Sequence, residues 1–315
     1  MIGSVEAAVA EALGRIDGPP LLAVSGGRDS MAMLAAAAAS EIKGAVVAHV
    51  DHGVRDNSSQ DVTFVESQSK RYGLAFETRK ISPASTSEES LRRSRYDALR
   101  QIAVCRGLKW VALGHSADDQ AETVLFRILR GTGVPGLSGM PVSRPIGGGV
   151  SLIRPLLSVT RSDITQYLSE RDVGYLDDPT NETSDYSRNW LRNDLLPLIR
   201  SRLNCSVSDA LARLASSATE YASFAESAAK AVLQDASRDD GRLDCEALRS
   251  APDLIRREAL RLFWADRGWP MQEMSYDRWC DAAAVISPDG PVGVDLPGGV
   301  SVRRSKGLLT LNRSG

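Results

Sequence analysis

The sequence predicts an α/β fold: a parallel sheet flanked by helices, followed by a smaller, mainly helical domain that ends in a few strands. Three observations predict it. In the first half, short apolar runs alternate with longer helix-like runs, the signature of βαβ units. Past about residue 205 the chain turns Ala- and Ser-rich, with Val207, Leu211, Leu214, Ala218, Tyr221 and Phe224 at helical spacing. Residues 292–312 alternate around glycine turns like two or three strands. A boundary near 205 divides the 315 residues into 1–205 and 206–315, in keeping with two domains for a chain of this length.

The elements follow in order. Residues 1–18 form a short amphipathic helix with neither the basic start nor the long apolar core of a secretion signal. LLAV (21–24), GAVVAHV (44–50), LAFETRKI (74–81) and KWVALG (109–114) are strands. Helices fall at about 29–41, 57–72, 88–106 and 117–130. Thr86 to Glu89 and Ser116 to Asp119 carry capping-box spacing at two of their starts. The stretch GTGVPGLSGMPVSRPIGGG (131–149) is predicted to be loop. IRPLL (153–157) is a short strand or extended piece, 160–172 a helix and 175–189 a polar turn region. A helix near 188–203 is kinked or ended by Pro197. Helices at about 252–266 and 274–285 precede the final strands, with Trp264, Trp269 and Trp279 in that domain's core.

Bulk composition excludes several classes. Hydrophobic content of 43% and charged content of 25% are ordinary for a globular protein, and no apolar run approaches the ~20 residues of a membrane span. The four cysteines, Cys105, Cys205, Cys245 and Cys280, form no C-x-x-C pair, so a zinc ribbon is not expected and reduced thiols in a cytoplasmic protein are. A net charge of −2 excludes a uniformly basic nucleic-acid binder. Only six of the 38 basic residues are lysines; the arginine excess suits phosphate contacts, but a GC-rich genome yields the same excess. Position must decide between them.

The chemistry gathers at predicted strand ends. After LLAV comes SGGRDS, with Ser25, Gly26, Gly27 and Arg28 in a turn and Asp29 and Ser30 opening a helix. A strand, a glycine turn and a helix start offer backbone N–H groups and a positive dipole end to an anion. A carboxylate beside phosphate points to Mg²⁺ between them. Neither G-x-x-x-x-G-K-[ST] nor G-x-G-x-x-G is present, and a plain capped turn is the alternative. The three histidines all follow strands: His49 and His52 in HVDHGVR, His115 in GHSADDQAET. Asp51, Asp118, Asp119 and Glu122 sit with them. A metal site of three imidazoles is one reading, but it leaves the glycine loop unexplained. Asp119 and Glu122 share a helix face and either hold an ammonium group or serve the helix cap.

SGGRDS resembles the pyrophosphate loop of the N-type ATP pyrophosphatases. Within that group HVDHGVR, ESLRRSRYDAL (89–99), GHSADDQAETVLFRILRGTGVPGLSGM, RPLL and DDPTN…SRNWLRNDLLP resemble the tRNA(Ile)-lysidine synthetase family over about residues 21–200. Asp51 stands where that family often has Asn, and Ser116 where His or Thr is frequent. The resemblance implies a Rossmann-like, adenine nucleotide α-hydrolase-like sheet. It implies that ATP adenylates the wobble cytidine of the CAU anticodon of tRNA(Ile) and that L-lysine then displaces AMP. Ser25, Gly26, Gly27, Arg28, Asp29, Ser30 and His49 would bind ATP. Asp29 with Asp118 or Asp119 would hold Mg²⁺, and Asp29, His115 and Asp119 would be catalytic. Asp119, Glu122 and Arg188 would bind lysine. Arg92, Arg95, Arg127 and Arg130 would meet RNA phosphates or are solvated helix faces, while Asn189 and Arg192 would fix the loop or touch RNA. Residues 206–315 would help hold the tRNA, and a homodimer stays open.

Two rivals share the loop. A tRNA thiolase also adenylates a base, but sulfur delivery needs paired cysteines or a cluster, and the first half has Cys105 alone, inside a predicted helix. A non-catalytic nucleotide sensor would keep SGGRDS without needing Asp118 and Asp119.

Overall fold

A computed structural model describes residues 2–51, 58–81, 87–176 and 187–314. In chain order the elements are α1 (Ile2–Gly14), β1 (Pro20–Ala23), α2 (Arg28–Ala39), β2 (Val46–Asp51), α3 (Ser58–Arg71), β3 (Ala75–Lys80), α4 (Glu88–Cys105), β4 (Trp110–Leu113) and α5 (Ala117–Leu129). Then come α6 (Val134–Leu137), β5 (Ser143–Gly147), β6 (Val150–Ile153), α7 (Arg161–Glu170), α8 (Ser187–Trp190), a π-helical turn (Leu191–Leu195), α9 (Leu196–Arg202) and α10 (Val207–Ala236). The chain closes with β7 (Leu243–Asp244), α11 (Cys245–Arg249), α12 (Asp253–Asp266), α13 (Tyr276–Ala284), β8 (Gly293–Leu296), β9 (Val300–Ser305) and β10 (Leu308–Arg313).

The chain divides into two compact units, Met1–Gly131 with Gly139–Ala215, and Thr132–Ser138 with Ser216–Gly315. The first holds a six-stranded sheet in the order β3-β2-β1-β4-β6-β5. All pairs are parallel except the β5–β6 hairpin. The chain runs from β1 outward to β2 and β3, then returns to β4 on β1's other side. That reversal opens a crevice at the carboxyl ends of β1 and β4, where such sheets bind ligands. Helices cover both faces. Leu22, Val24, Val47 and Ala112 pack against α1, α2 and α7 on one face; Leu21, Val46, Val111 and Leu152 pack against α4 on the other. The alanine run of α2 lets it lie close to the sheet, and Met31 to Ala37 are buried throughout.

Two elements differ from expectation. Residues 131–149 are not all loop, because 143–147 form β5. Pro145 lacks an N–H, but β5 is an edge strand, where proline is tolerated. Gly147, Gly148 and Gly149, all at positive φ, turn the chain back into β6. The strand expected at 153–157 lies earlier, at Val150–Ile153. The helix expected at 188–203 is interrupted as foreseen around Pro197. Its ladder widens to an i→i+5 bond, Leu196 N–H to the Leu191 carbonyl, just before the proline.

The second unit has its own core, with an antiparallel sheet in the order β7-β10-β9-β8. Trp264 is fully buried at its centre and meets Trp269 and Trp279 edge-on, with ring centroids 5.2 and 5.5 Å away. The three tryptophans build this core. No helix among the described residues is long and apolar enough to cross a membrane.

Candidate active site

The loop after β1 is shaped by its glycines. Gly26 has φ +91°, a conformation that disfavours any side chain, and its carbonyl accepts from Leu176 N–H at 2.9 Å. Gly27 is the N-cap of α2 and offers no side chain to its first N–H groups. The α2 N-terminus is therefore an uncapped dipole end suited to an anion. Ser30 Oγ donates to the Gly27 carbonyl at 2.8 Å and lies 3.2 Å from Ser25 Oγ, so the two hydroxyls brace the turn. Gly114, at the exit of β4, touches this loop directly. A Cβ there would sit 2.9 Å from the Asp29 carbonyl oxygen, a backbone atom that cannot swing aside. Gly114→Ala is expected to displace the loop and raise the KM for ATP about tenfold. Gly14→Ala, with nothing within 4 Å, is the control and should leave that KM unchanged.

Asp29 carries an unresolved need. Its Oδ1 is buried and makes no well-formed hydrogen bond among the described residues; Arg28 Nε forms an ion pair with it at 3.5 Å. Burial first, and then the negative charge of Asp119, hold its pKa above the ordinary carboxylate value.

Across the crevice, Ser116 caps α5 in the capping box that the spacing predicted. Its N–H donates to Asp119 Oδ2 at 2.9 Å, and the Asp119 N–H donates back to Ser116 Oγ. The other oxygen of Asp119 accepts from Arg192 Nη2 at 2.8 Å and Arg161 Nη2 at 3.2 Å. Glu122, 1% exposed, takes a bidentate fork from Arg192: Nε to Oε1 at 2.7 Å and Nη2 to Oε2 at 2.8 Å. Arg161 Nη1 lies 3.6 Å from Glu122 Oε1. Two acids and two guanidiniums thus share one largely buried cluster. Burial would raise the Asp119 pKa, but the charges of Arg161 and Arg192 and the Ser116 bonds outweigh it and hold it low.

His115 lies between this cluster and a group of arginines. Arg154 Nε donates to His115 Nδ1 at 3.2 Å. Desolvation, with Arg154, Arg95 and Arg92 adding to it against Asp119, pushes the imidazole pKa down to about 3, so the ring is neutral. Arg92, Arg95 and Arg144 surround the ring of Tyr96, their guanidinium carbons 5.2 to 5.6 Å from its centre.

The structure brings Ser25, Gly26, Gly27, Arg28, Asp29, Ser30, His115, Asp119 and Glu122 to one sheet edge. His49, expected at the nucleotide, is buried; its Nδ1–H donates to the Val24 carbonyl at 2.9 Å and ties the exits of β1 and β2 together. Asp118, expected as a magnesium ligand, is engaged elsewhere. Its Oδ2 accepts from the Arg161 backbone N–H at 2.7 Å at the start of α7, and Oδ1 faces Ser208 and Arg200 at 3.5 and 3.7 Å. Asp119 is instead the acid whose charge acts on Asp29. A buried carboxylate oxygen with no closer partner among the described residues than the Arg28 guanidinium at 3.5 Å, beside a second acid at a glycine turn, fits Mg²⁺, which takes one or two carboxylates plus phosphate oxygens. No group of three or more His, Cys, Asp or Glu side chains is arranged for a metal among the described residues. His52 and the Arg188 side chain lie outside the described residues. Arg127 donates to the Gly139 carbonyl at 2.8 Å, and Arg130 lies over the Phe126 ring at 5.2 Å.

Sequence reasoning missed Arg161 and Arg154 and gave Arg192 a lesser place. Arg161 had a signal: a cation in the first turn of a helix opposes the dipole there, so another interaction must hold it.

Residues 7–199 match the PP-loop domain family, and residues 243–310 match the TilS substrate binding domain. The tRNA(Ile)-lysidine synthase of Chlorobaculum tepidum is 33% identical over 311 residues, covering 94% of this chain and 91% of that one. The chain belongs to the tRNA(Ile)-lysidine synthase family. The synthase of Salinispora tropica is 32% identical, covering 93% of this chain and 90% of its own. Against the longer synthase of Thermus thermophilus, 35% identical, the chain spans 56% of the length. In structure, the U34-tRNA thiolase NcsA from Methanococcus maripaludis with its [4Fe-4S] cluster aligns at a TM-score of 0.57 and 17% identity, covering 70% of this chain and 80% of that one; it shares the fold. Within the lysidine synthase family, the glycine loop and the acid–arginine cluster are the parts of this chain that face one another across the β1–β4 crevice.

Proposed function

We propose that this chain joins L-lysine to C2 of the wobble cytidine of tRNA(Ile) at this sheet edge. In the first step the C2 carbonyl oxygen of the cytidine in the CAU anticodon attacks the α-phosphorus of ATP, and pyrophosphate leaves. In the second, an amine of lysine forms the N–C2 bond, loses a proton, and the C2–O bond breaks to release AMP. The product pairs with A rather than G, which moves the codon from AUG to AUA and the tRNA identity from methionine to isoleucine.

The backbone of Ser25 to Gly27 and the α2 N-terminus receive the departing pyrophosphate. Asp29 would hold Mg²⁺, which would supply charge neutralisation on the phosphates, and Asp119 serves either that ion or the lysine ammonium. His115, as a neutral donor, meets the α-phosphate. Asp119 and Glu122 take a lysine ammonium, which would compete with the guanidinium of Arg192 for the same oxygens. Arg188 is assigned to the lysine carboxylate. Arg92 and Arg95 remain the RNA-facing arginines; Arg127 and Arg130 contribute what their present contacts leave. We assign the ATP chemistry to 1–205 and the grip on the tRNA to 206–315.

One observation carries this reading: the Asp29 carboxylate at the glycine turn, its inner oxygen held by no more than a 3.5 Å ion pair to Arg28 among the described residues, set beside the Asp119–Glu122 acids. The test is multiple-turnover pyrophosphate release from ATP with a tRNA(Ile) transcript. Release that requires both the transcript and lysine supports the reading. No turnover would indicate a sensor, and lysine-independent turnover a different acceptor.

A further inference from the structure

Arg154 is a costly place for a charge. It follows β6, is only 2% exposed, and donates to a carbonyl and an imidazole: Nη1 to the Pro141 carbonyl at 2.6 Å, and Nε to His115 Nδ1 at 3.2 Å. A guanidinium has five N–H groups and no acceptor, so its bond to Nδ1 runs one way. Nδ1 must offer its lone pair, and a neutral ring then carries its single proton on Nε2. We infer that Arg154 is a positioning residue that fixes His115 as the Nε2–H tautomer, leaving that N–H as the ring's only donor. The charges around the ring agree. Arg92, Arg95 and Arg154 oppose a second proton, against the charge of Asp119.

His49 provides the contrast within the same sheet. Its Nδ1 faces the Val24 carbonyl, which can only accept, so that ring carries its proton on Nδ1. Two histidines at the exits of β2 and β4, the strands on either side of β1, are therefore set in opposite tautomers by opposite partners. The role of Arg154 in catalysis rests on the reading of His115 as donor to the α-phosphate; the tautomer itself does not.

The test is a long-range proton–nitrogen correlation spectrum of the full chain, labelled at histidine, near neutral pH. His115→Gln assigns the His115 signals by their disappearance. An Nε2–H pattern for His115 and an Nδ1–H pattern for His49 are expected. An Nδ1–H or doubly protonated His115 overturns the inference outright, with no variant needed. In Arg154→Met the His115 signals should shift toward a mixture of tautomers. The kcat for pyrophosphate release should fall at least about tenfold, with the KM for ATP held within about twofold. Arg154→Leu, which likewise removes the charge and every donor, gives the same comparison if the Met variant does not fold. A folded variant whose His115 tautomer is unchanged overturns the inference. A changed tautomer with undiminished kcat overturns the catalytic role of Arg154 and the donor reading of His115 together, while pyrophosphate release itself continues to stand for the reaction.

Discussion

Asp29→Ala is expected to abolish pyrophosphate release, with a loss of about 10³-fold or more, because it removes the anchor for charge neutralisation at the leaving group. Its isosteric partner makes a sharper test. The Asp29 carboxylate is largely buried, feels the charge of Asp119, and has Arg28 Nε no nearer than 3.5 Å to its Oδ1. Its pKa in the fold stands above the unfolded value, so the folded state favours the proton. Stability is then lost as pH rises through that window, and at neutral pH the charge weighs against the fold. Asp29→Asn should therefore raise the thermal midpoint in metal-free buffer while losing the activity. Such opposition between stability and function is what a ligand-binding carboxylate leaves behind. Melting curves and pyrophosphate assays on the same two variants check it. An Asn variant that melts lower, or still releases pyrophosphate, would show that Asp29 serves the fold instead.

Arg192→Ala is expected to lower stability by about 3 kcal/mol, since breaking a buried pair leaves its acid uncompensated. Glu122 loses both arms of its fork, and Asp119 loses its 2.8 Å donor. Arg161, 3.2 Å from Asp119 and 3.6 Å from Glu122, limits the damage. Glu122→Gln in the Arg192→Ala background should recover much of the loss, because the neutral amide does not need a cation. A double-mutant cycle on urea midpoints isolates this coupling. If Arg192→Ala lies within about 0.5 kcal/mol of the parent, the cluster is an ordinary surface pair.

The parallel core was legible because β1, β2 and β4 are apolar runs broken by helices of the right length. Asp119's capping box was legible because Ser116 stands three residues before it. Four features were not. β5 was read as loop because Pro145 and three glycines mask an edge strand, where neither a missing N–H nor a left-handed turn is forbidden. Asp118 and Asp119 are adjacent and equally acidic, and nothing local says that one caps α7 while the other faces Asp29. Arg161 and Arg192 meet Glu122 across 39 and 70 residues of sequence, so only the folded sheet edge reveals that the acids already have guanidinium partners. Arg154 was seen as part of RPLL, but its bond to His115 depends on β6 lying beside β4.

The most direct measurement is the mass of the wobble nucleoside after tRNA(Ile) transcript, ATP and isotopically labelled lysine are incubated with the protein and the RNA is digested. Cytidine at that position should be replaced by a nucleoside heavier by one labelled lysine less one water, with AMP and pyrophosphate formed in equal amounts. An unmodified cytidine in the presence of active ATP turnover, or a label found at any other position, would contradict the account.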